Sequence, residues 1–404
     1  MKNIVDNKKC SGCSACAMKC PKQSITMIEN NEGFLEPIID ENKCIDCELC
    51  KKICPVLNNK EIKKEKFPIA YACYNKDENI RMESSSGGIF TLISNYVLEK
   101  NGVVFGAMFD KEFTVEHNYV TTKEELEKIR GSKYLQSQIG NSYLRAKEFL
   151  EEGKYVLFTG TPCQIEGLLA YLGKNYDKLY TQDIICHGVP SPKVWKQALA
   201  NIKIENPIRI NFRNKNESWN NYKLKISNKN ESYEASHKDD LYFKLFLQDK
   251  ILRNSCYNCS FKKTSRNSDI TLADFWGIKN VIEDFDDDKG TSLVIINSEK
   301  GQKLYEQIKN EIKYQEVDFN EAIKYNPSMI SSVKKPKERE YIFKDLDDKG
   351  YEYISQKYTK ISLIKKIKSK IKRIIKKILG IILWKFQKII VKKFRYWGGL
   401  QLLL

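Results

Sequence analysis

No stretch of this 404-residue chain reaches the roughly 18 uncharged apolar residues that a membrane-spanning helix needs, so a helical membrane-spanning protein is excluded. The opening residues, Met1 to Lys9, are polar and hold no apolar core of a secretory signal. The thirteen cysteines are therefore expected in a reducing, cytoplasmic setting, where thiols bind metal rather than each other. Histidine is scarce. Of three, His117 and His237 stand in polar surroundings and are expected at the surface, and only His187 has a cysteine beside it. Acidic residues are absent from Lys360 to Leu404, a segment with fourteen Lys or Arg, which leaves the body nearly neutral although the whole chain carries +17. No RNA-recognition or helix-turn-helix signature accompanies that basic excess, so nucleic acid is discounted as a partner.

What the chain does hold is cysteine in two matched runs. Cys10-Ser-Gly-Cys13-Ser-Ala-Cys16-Ala-Met-Lys-Cys20-Pro21 is followed by Cys44-Ile-Asp-Cys47-Glu-Leu-Cys50-Lys-Lys-Ile-Cys54-Pro55. Each has the C-x2-C-x2-C-x3-C-P spacing of a bacterial two-cluster ferredoxin, in which three thiolates on a tight loop wrap one cubane and the fourth arrives from the other run. Cys10, Cys13, Cys16 and Cys54 are thus expected to hold one 4Fe-4S cluster, and Cys44, Cys47, Cys50 and Cys20 a second. Pro21 and Pro55 stop any helix from running through the last ligand. A zinc site would pair short C-x2-C units rather than triplets, and a disulfide framework suits a secreted chain.

A chain this long predicts two or three domains. Residues 1–60 hold the cysteine runs, and 58–66, charged and lysine-rich, read as a linker. Beyond it strands alternate with helices: a strand over 69–74, a helix over 89–99, a strand over 102–109, a charged helix over 121–130, then strands over 155–160 and 179–185, each followed by a helix. Strands over 208–212, 222–226 and 230–236 and a helix over 239–247 come next, then a buried strand over 291–297 and a closing helix over 303–312. The alternation argues for an α/β body.

Four stretches carry candidate chemistry. The turn Ser84-Ser85-Ser86-Gly87-Gly88 opens the helix at Ile89, where bare backbone N–H groups and glycines can cradle a phosphate; a serine cap on a glycine turn is the plainer alternative. Gly131-Ser132-Lys133-Tyr134-Leu135-Gln136-Ser137 is either a solvated loop or an embrace for an anion through Ser132 and Lys133. Thr161-Pro162-Cys163-Gln164 starts a helix, which puts Cys163 where the dipole favours a thiolate. Cys186 ends the neighbouring strand, so Cys163 and Cys186 are expected to face one crevice at the carboxyl ends of parallel strands. Adding Cys256 and Cys259 gives four thiols, enough for a third 4Fe-4S cluster; a redox-active Cys163 and a zinc site are the alternatives. A catalytic C-x-x-C belongs beside a thioredoxin-like pattern, which is missing. Cys73, mid-strand, is expected to pack as a small apolar residue.

Ser85-Ser86-Gly87-Gly88-Ile89-Phe90, Gly131-Ser132-Lys133-Tyr134-x-Gln136-Ser137, Gly160-Thr161-Pro162-Cys163-Gln164, Cys186-His187-Gly188-Val189-Pro190-Ser191-Pro192, Cys256-x-x-Cys259 and Asp269-Ile-Thr-x-x-Asp274-Phe-Trp-Gly277 come in this order over residues 67 to 315. Together they resemble the beta subunit of coenzyme F420 hydrogenase/dehydrogenase, behind a ferredoxin domain that many members carry. The resemblance implies an α+β ferredoxin-like N-terminal domain, an α/β flavoprotein body in two parts (67–150 and 151–315), a helical connector (316–359) and a C-terminal tail. It implies an FAD-bearing iron-sulfur oxidoreductase that exchanges electrons with a hydride carrier such as coenzyme F420 and with a redox partner protein. Ser84, Ser85, Ser86, Gly87, Gly88, Ser132, Lys133, Tyr134, Gln136, Ser137 and Thr161 become expected flavin contacts, with Lys133 the catalytic candidate for stabilising charge on the reduced flavin. Ala273 stands where the family has glycine, and 214–219 lacks the glycine usual before Trp219. A subunit that only relays electrons, without flavin, is the rival reading.

In the tail, residues 360–404, Ile364, Ile367, Ile371, Ile374, Ile378 and Ile382 step by threes and fours and fall on one helical face opposite lysines. This pattern suits a helix lying on the anionic inner face of the cell membrane; docking on a protein partner is the alternative.

Overall fold

The computed structural model of the protein describes residues 4–59 and 66–359, so the basic tail and most of the expected linker lie outside the described residues. The N-terminal unit contains α1 (Ala15–Lys19), β1 (Ile25–Glu29), β2 (Leu35–Ile39) and α2 (Leu49–Lys52), with β1 and β2 antiparallel. Each short helix follows a residue in the left-handed region, Ser14 or Glu48, which turns the chain sharply inside its cysteine run. Both helices stop just ahead of a Cys-Pro pair, where proline cannot continue them.

The body begins with β3 (Ile69–Asn75), α3 (Glu78–Glu83), α4 (Ile89–Glu99), β4 (Val103–Phe109), β5 (Val115–Val120), α5 (Leu126–Ile129) and α6 (Ser142–Glu151). It continues through β6 (Val156–Thr159), α7 (Pro162–Leu172), β7 (Leu179–Ile184), α8 (Pro192–Ile202), β8 (Arg209–Asn214), β9 (Lys223–Ser227), β10 (Ser232–Ser236) and α9 (Leu241–Leu247). After these come β11 (Ile270–Asp274), β12 (Ser292–Ile296), α10 (Glu299–Ile308), β13 (Ile312–Val317), α11 (Phe319–Ile323) and α12 (Arg339–Thr359).

One eight-stranded sheet, ordered β13-β3-β12-β11-β7-β6-β4-β5, runs through the body. Its inner strands β11, β7, β6 and β4 are parallel, and every pair outside them is antiparallel. Inner strands covered on both faces should be apolar throughout rather than alternating, and β6 and β12 are buried at every residue. On one face α4 and α10 pack through Leu92, Ile93, Leu304 and Tyr305; on the other α6 and α7 pack through Tyr143, Phe149, Ile165 and Leu168. Cys13 and Ala15 of the N-terminal unit join this second layer. Gly167 on α7 is what permits the approach, since a Cβ there would lie 3.2 Å from Cys13 Sγ.

The structure departs from the alternating reading at the sheet edges. The helix expected over 303–312 is α10, followed by an edge strand β13 that pairs antiparallel with β3 and was not expected, and the charged helix over 121–130 shrinks to α5. Charge spacing alone does not distinguish an exposed edge strand from a solvated helix, and β13 is exposed at four of its six residues. The connector expected over 316–359 does contain α11 and α12. Strands β8, β9 and β10 form a separate antiparallel sheet with an irregular step between Asn211 and Asn214.

Candidate functional site

In the N-terminal unit Cys10, Cys13, Cys16 and Cys54 gather, and Cys10, Cys13 and Cys54 are buried. Burial pushes Cys13 up to about 12, and the charges of Cys10 and Cys54 add to the rise. Four such thiols repel one another as thiolates, a donor set stable only around a positive core. Cys20 has turned away from its own run: it lines a small cavity with Cys44, Cys47 and Cys50. The two runs therefore exchange their fourth cysteines in space.

The main cavity, about 460 Å³, opens at the carboxyl ends of β6, β7 and β11, where open α/β sheets bind ligands. That volume lies in the range of small-molecule sites. Ser84, Ser85, Ser86 and Gly88 line it at the N-terminus of α4. Gly88 has φ 82, and a Cβ on Gly87 would strike the Cys73 carbonyl at 2.5 Å, so glycine is required at this turn. The Ser85 hydroxyl receives hydrogen bonds from Ser132 N (2.8 Å) and Ser132 Oγ (2.9 Å), which ties the serine turn to the 131–137 run. Gly131 also lines the cavity, and a Cβ there would meet nothing within 4 Å.

Of the remaining expected contacts, Ser132, Lys133, Tyr134, Gln136, Ser137 and Thr161 all line this cavity, and Gly87 supports it from behind. Lys133 points differently from the expectation. Its Nζ donates toward the carbonyls of Lys128, Ile129, Arg130 and Gly131 at 2.8–3.2 Å, closing the C-terminal end of α5, and burial lowers it to about 7. In this arrangement Lys133 caps the last carbonyls of α5 and fixes the loop, and it also lines the cavity.

Arg213 and Tyr222, which the sequence did not single out, form the far wall with Asp274 and Trp276. Arg213, buried at 3 % exposure, forks onto Asp274 at 2.6 and 3.2 Å and donates to Tyr134 Oη at 3.1 Å. It lies over the Tyr222 ring, and Trp276 stacks on Trp219 at 4.9 Å. Arg213 Nε is buried without a hydrogen-bond partner. The irregular step in β8 places it: bulges re-aim side chains, and Asn211 Oδ1 accepts from Arg213 N at 2.8 Å. His117 corrects the surface expectation. It is buried, bonded to Ser137 Oγ (2.8 Å) and the Thr159 carbonyl (2.9 Å), and burial lowers it to about 4, so the ring is neutral. His237 is half-buried, stacked on Tyr222 at 4.3 Å, and His187 Nε2 lies 2.6 Å from Asp249 Oδ1.

A second, smaller cavity adjoins the first. Cys163, Cys186, Gly188 and Val189 line both, and Cys256 and Cys259 complete the second. Cys163 starts α7, inside a capping box formed by Thr161 and Gln164. The helix dipole does not prevail there: burial, then the charge of Cys259, with Cys186 and Cys256 adding, raises Cys163 well above the ordinary thiol value. Burial likewise pushes Cys186 up to about 12 and Cys256 to about 11. Among the described residues no three His, Cys, Asp or Glu converge as the ligands of a single ion would. The same cavity reaches Lys9 and Ser11, beside Cys10 of the N-terminal unit. Cys73, by contrast, is wholly buried in β3 against Tyr305 Oη at 3.5 Å.

The C terminus of the coenzyme F420 hydrogenase/dehydrogenase beta subunit matches residues 153–322, the N-term of the same subunit matches 70–142, and a 4Fe-4S dicluster domain matches 9–58. Among solved structures, the chain is similar to a chain of the xenon-derivatised F420-reducing NiFe hydrogenase complex from Methanosarcina barkeri, at 18% identity and a TM-score of 0.42, over 63% of this chain and 84% of that one. No curated protein matches. With both parts of one subunit present in order over more than half of its length, the chain belongs to the coenzyme F420 hydrogenase/dehydrogenase beta subunit family, and it carries an N-terminal 4Fe-4S dicluster domain.

Proposed function

We propose that this chain is an iron-sulfur flavoprotein that moves electrons between a hydride carrier of the coenzyme F420 type and a redox partner protein. The observation that carries the reading is the shared wall of the two cavities: Cys163, Cys186, Gly188 and Val189 separate a small-molecule site from a four-thiol cage that itself abuts the Cys10 run. A bound flavin accepts a hydride as an electron pair and can pass the electrons on singly. The protein's own residues do the rest.

Gly87 and Gly88, with the N-terminus of α4, would hold a phosphate; Ser85 and Ser132, bonded to each other, fix the spacing of the two loops that face it. Tyr134, Trp276 and Tyr222 would bound the ring system of a flavin, with Arg213 and Asp274 holding that wall in place. Lys133 keeps the 131–137 loop in place through the α5 carbonyls. Cys163, Cys186, Cys256 and Cys259 would hold a third 4Fe-4S cluster, Cys10, Cys13, Cys16 and Cys54 an inner ferredoxin cluster, and Cys20, Cys44, Cys47 and Cys50 an outer one. The order follows from exposure, since Cys47 is exposed and Cys10, Cys13 and Cys54 are buried. The 360–404 tail would attach the chain to an anionic membrane surface.

Anaerobic purification followed by assay of iron, acid-labile sulfide and flavin per chain tests this. About twelve iron atoms and one flavin, with the flavin spectrum bleached by reduced coenzyme F420 or another hydride donor, is the expected result. Clusters without flavin would leave only an electron relay.

A further inference from the structure

A buried cation without an acidic partner stands between the N-terminal unit and the four-thiol cage. Arg253 is 3 % exposed, and its guanidinium donates only to neutral oxygens: Nε to the Cys10 carbonyl (2.7 Å), Nη1 to Gln136 Oε1 (2.9 Å) and Nη2 to the Leu35 carbonyl (2.9 Å). Among the described residues no carboxylate pairs with it. Its own backbone belongs to the cage loop: Arg253 N donates to the Val189 carbonyl at 3.0 Å and Cys256 N to the Arg253 carbonyl at 2.9 Å. The first cysteine run closes on the guanidinium so tightly that a Cβ on Gly12 would lie 2.8 Å from Nη1.

Burying a guanidinium without a counter-charge is costly, and native structures supply one. Two sets of four thiolates lie on either side of this one, and a thiolate-ligated 4Fe-4S cluster is net negative. We propose that Arg253 is the shared counter-charge of the inner ferredoxin cluster and the cage cluster, raising the reduction potential of both while leaving the outer cluster untouched. This rests on the reading of Cys163, Cys186, Cys256 and Cys259 as cluster ligands. The side chain reaches both sides: it donates to the Cys10 carbonyl and lines the cavity of Cys163, Cys186, Cys256 and Cys259. Lys262 and Arg266 line the same cavity, and Arg266 is paired with Asp183 at 3.4 Å.

The guanidinium keeps its charge throughout, so it would stabilise the reduced form of either cluster held beside it, and the two potentials would move together while that of the outer cluster stayed.

The test uses the full chain, purified anaerobically, as unaltered protein, R253M and R253K, each assayed for iron and titrated electrochemically with the cluster signals followed by electron paramagnetic resonance. In R253M, two of three signals should shift to more negative potential by about tenfold in the reduction equilibrium, about 59 mV for a one-electron couple. The third should stay, and R253K should recover most of the shift. If R253M loses iron, R253Q, which keeps a donor toward the Cys10 carbonyl without the charge, is read in its place. Full iron with three unmoved signals, or with all three moved alike, overturns the role of Arg253 alone. About eight iron atoms in the unaltered chain overturns the cage reading first, and this inference with it.

Discussion

One ion pair between the N-terminal unit and the body has a removal cost that can be worked out from its geometry. Arg339, at the start of α12, is 1 % exposed and forks onto Glu32, in the turn between β1 and β2, at 2.6 and 2.5 Å. It also donates through Nε and Nη2 to the Leu252 carbonyl at 3.0 and 2.8 Å. Glu32→Ala leaves that guanidinium buried with a carbonyl as its only strong acceptor. Breaking a buried pair costs about 3–5 kcal/mol, and because the Glu32 side chain keeps 23% of its exposure the lower end, about 3 kcal/mol, is expected. Arg339→Met should cost less, since the remaining carboxylate can take up water. Replacing both, as Glu32→Ala with Arg339→Met, removes the unpaired charge and should restore most of the stability. Urea unfolding of the four proteins under nitrogen gives a double-mutant cycle, in which a coupling above about 1.5 kcal/mol is expected for contacting charges. A coupling under about 0.5 kcal/mol would refute the cost assigned to this pair.

Further outcomes can be stated more briefly. Cys163→Ser or Cys256→Ser should lower iron per chain by about a third while the ferredoxin signals persist; unchanged iron would remove the cage from the account. Gly87→Ala places a methyl 2.5 Å from the Cys73 carbonyl, so a loss of about 1–3 kcal/mol and of bound flavin is expected, read by thermal melting and absorbance. Asp274→Asn leaves Arg213 charged and unpaired, with a cost of about 3 kcal/mol and weaker flavin retention on gel filtration. His117 is neutral when folded, with its pKa lowered to about 4 against about 6.5 unfolded, so the unfolded chain binds the extra proton between those values. Stability should therefore fall by about 3 kcal/mol as pH drops from 6.5 to 4, and His117→Gln should flatten that part of the profile; an unchanged slope would place the titration elsewhere.

How much of this could be read in advance depended on whether the signal was local. Cysteine spacing is local chemistry, and the crossing of Cys20 and Cys54 follows from it. The crevice shared by Cys163 and Cys186 was legible because two consecutive strand-to-helix turns in an α/β pattern end side by side. Arg213 was not legible: it sits in a short charged stretch of a small separate sheet, and what matters is a backbone irregularity that aims it at Asp274, 61 residues away. His117 misled for a related reason. Its neighbours Glu116 and Asn118 are polar because they alternate with it along β5, and period two puts His117 inward. Lys133 was recognised as a cation in a polar run, but its carbonyl partners belong to the end of α5, a single helical turn that charge spacing had stretched to ten residues. The antiparallel edges β3, β12 and β13 come from chain segments more than two hundred residues apart, which no window reveals.

The difference in exposure between Cys47 and the buried trio of Cys10, Cys13 and Cys54 also sets how the chain would deteriorate. On the proposed function, dioxygen and chelators would reach the Cys44 to Cys50 loop before the buried trio, and a briefly aired sample would lose its outer cluster while the inner centres stayed sound, taking up reducing equivalents that it could no longer deliver.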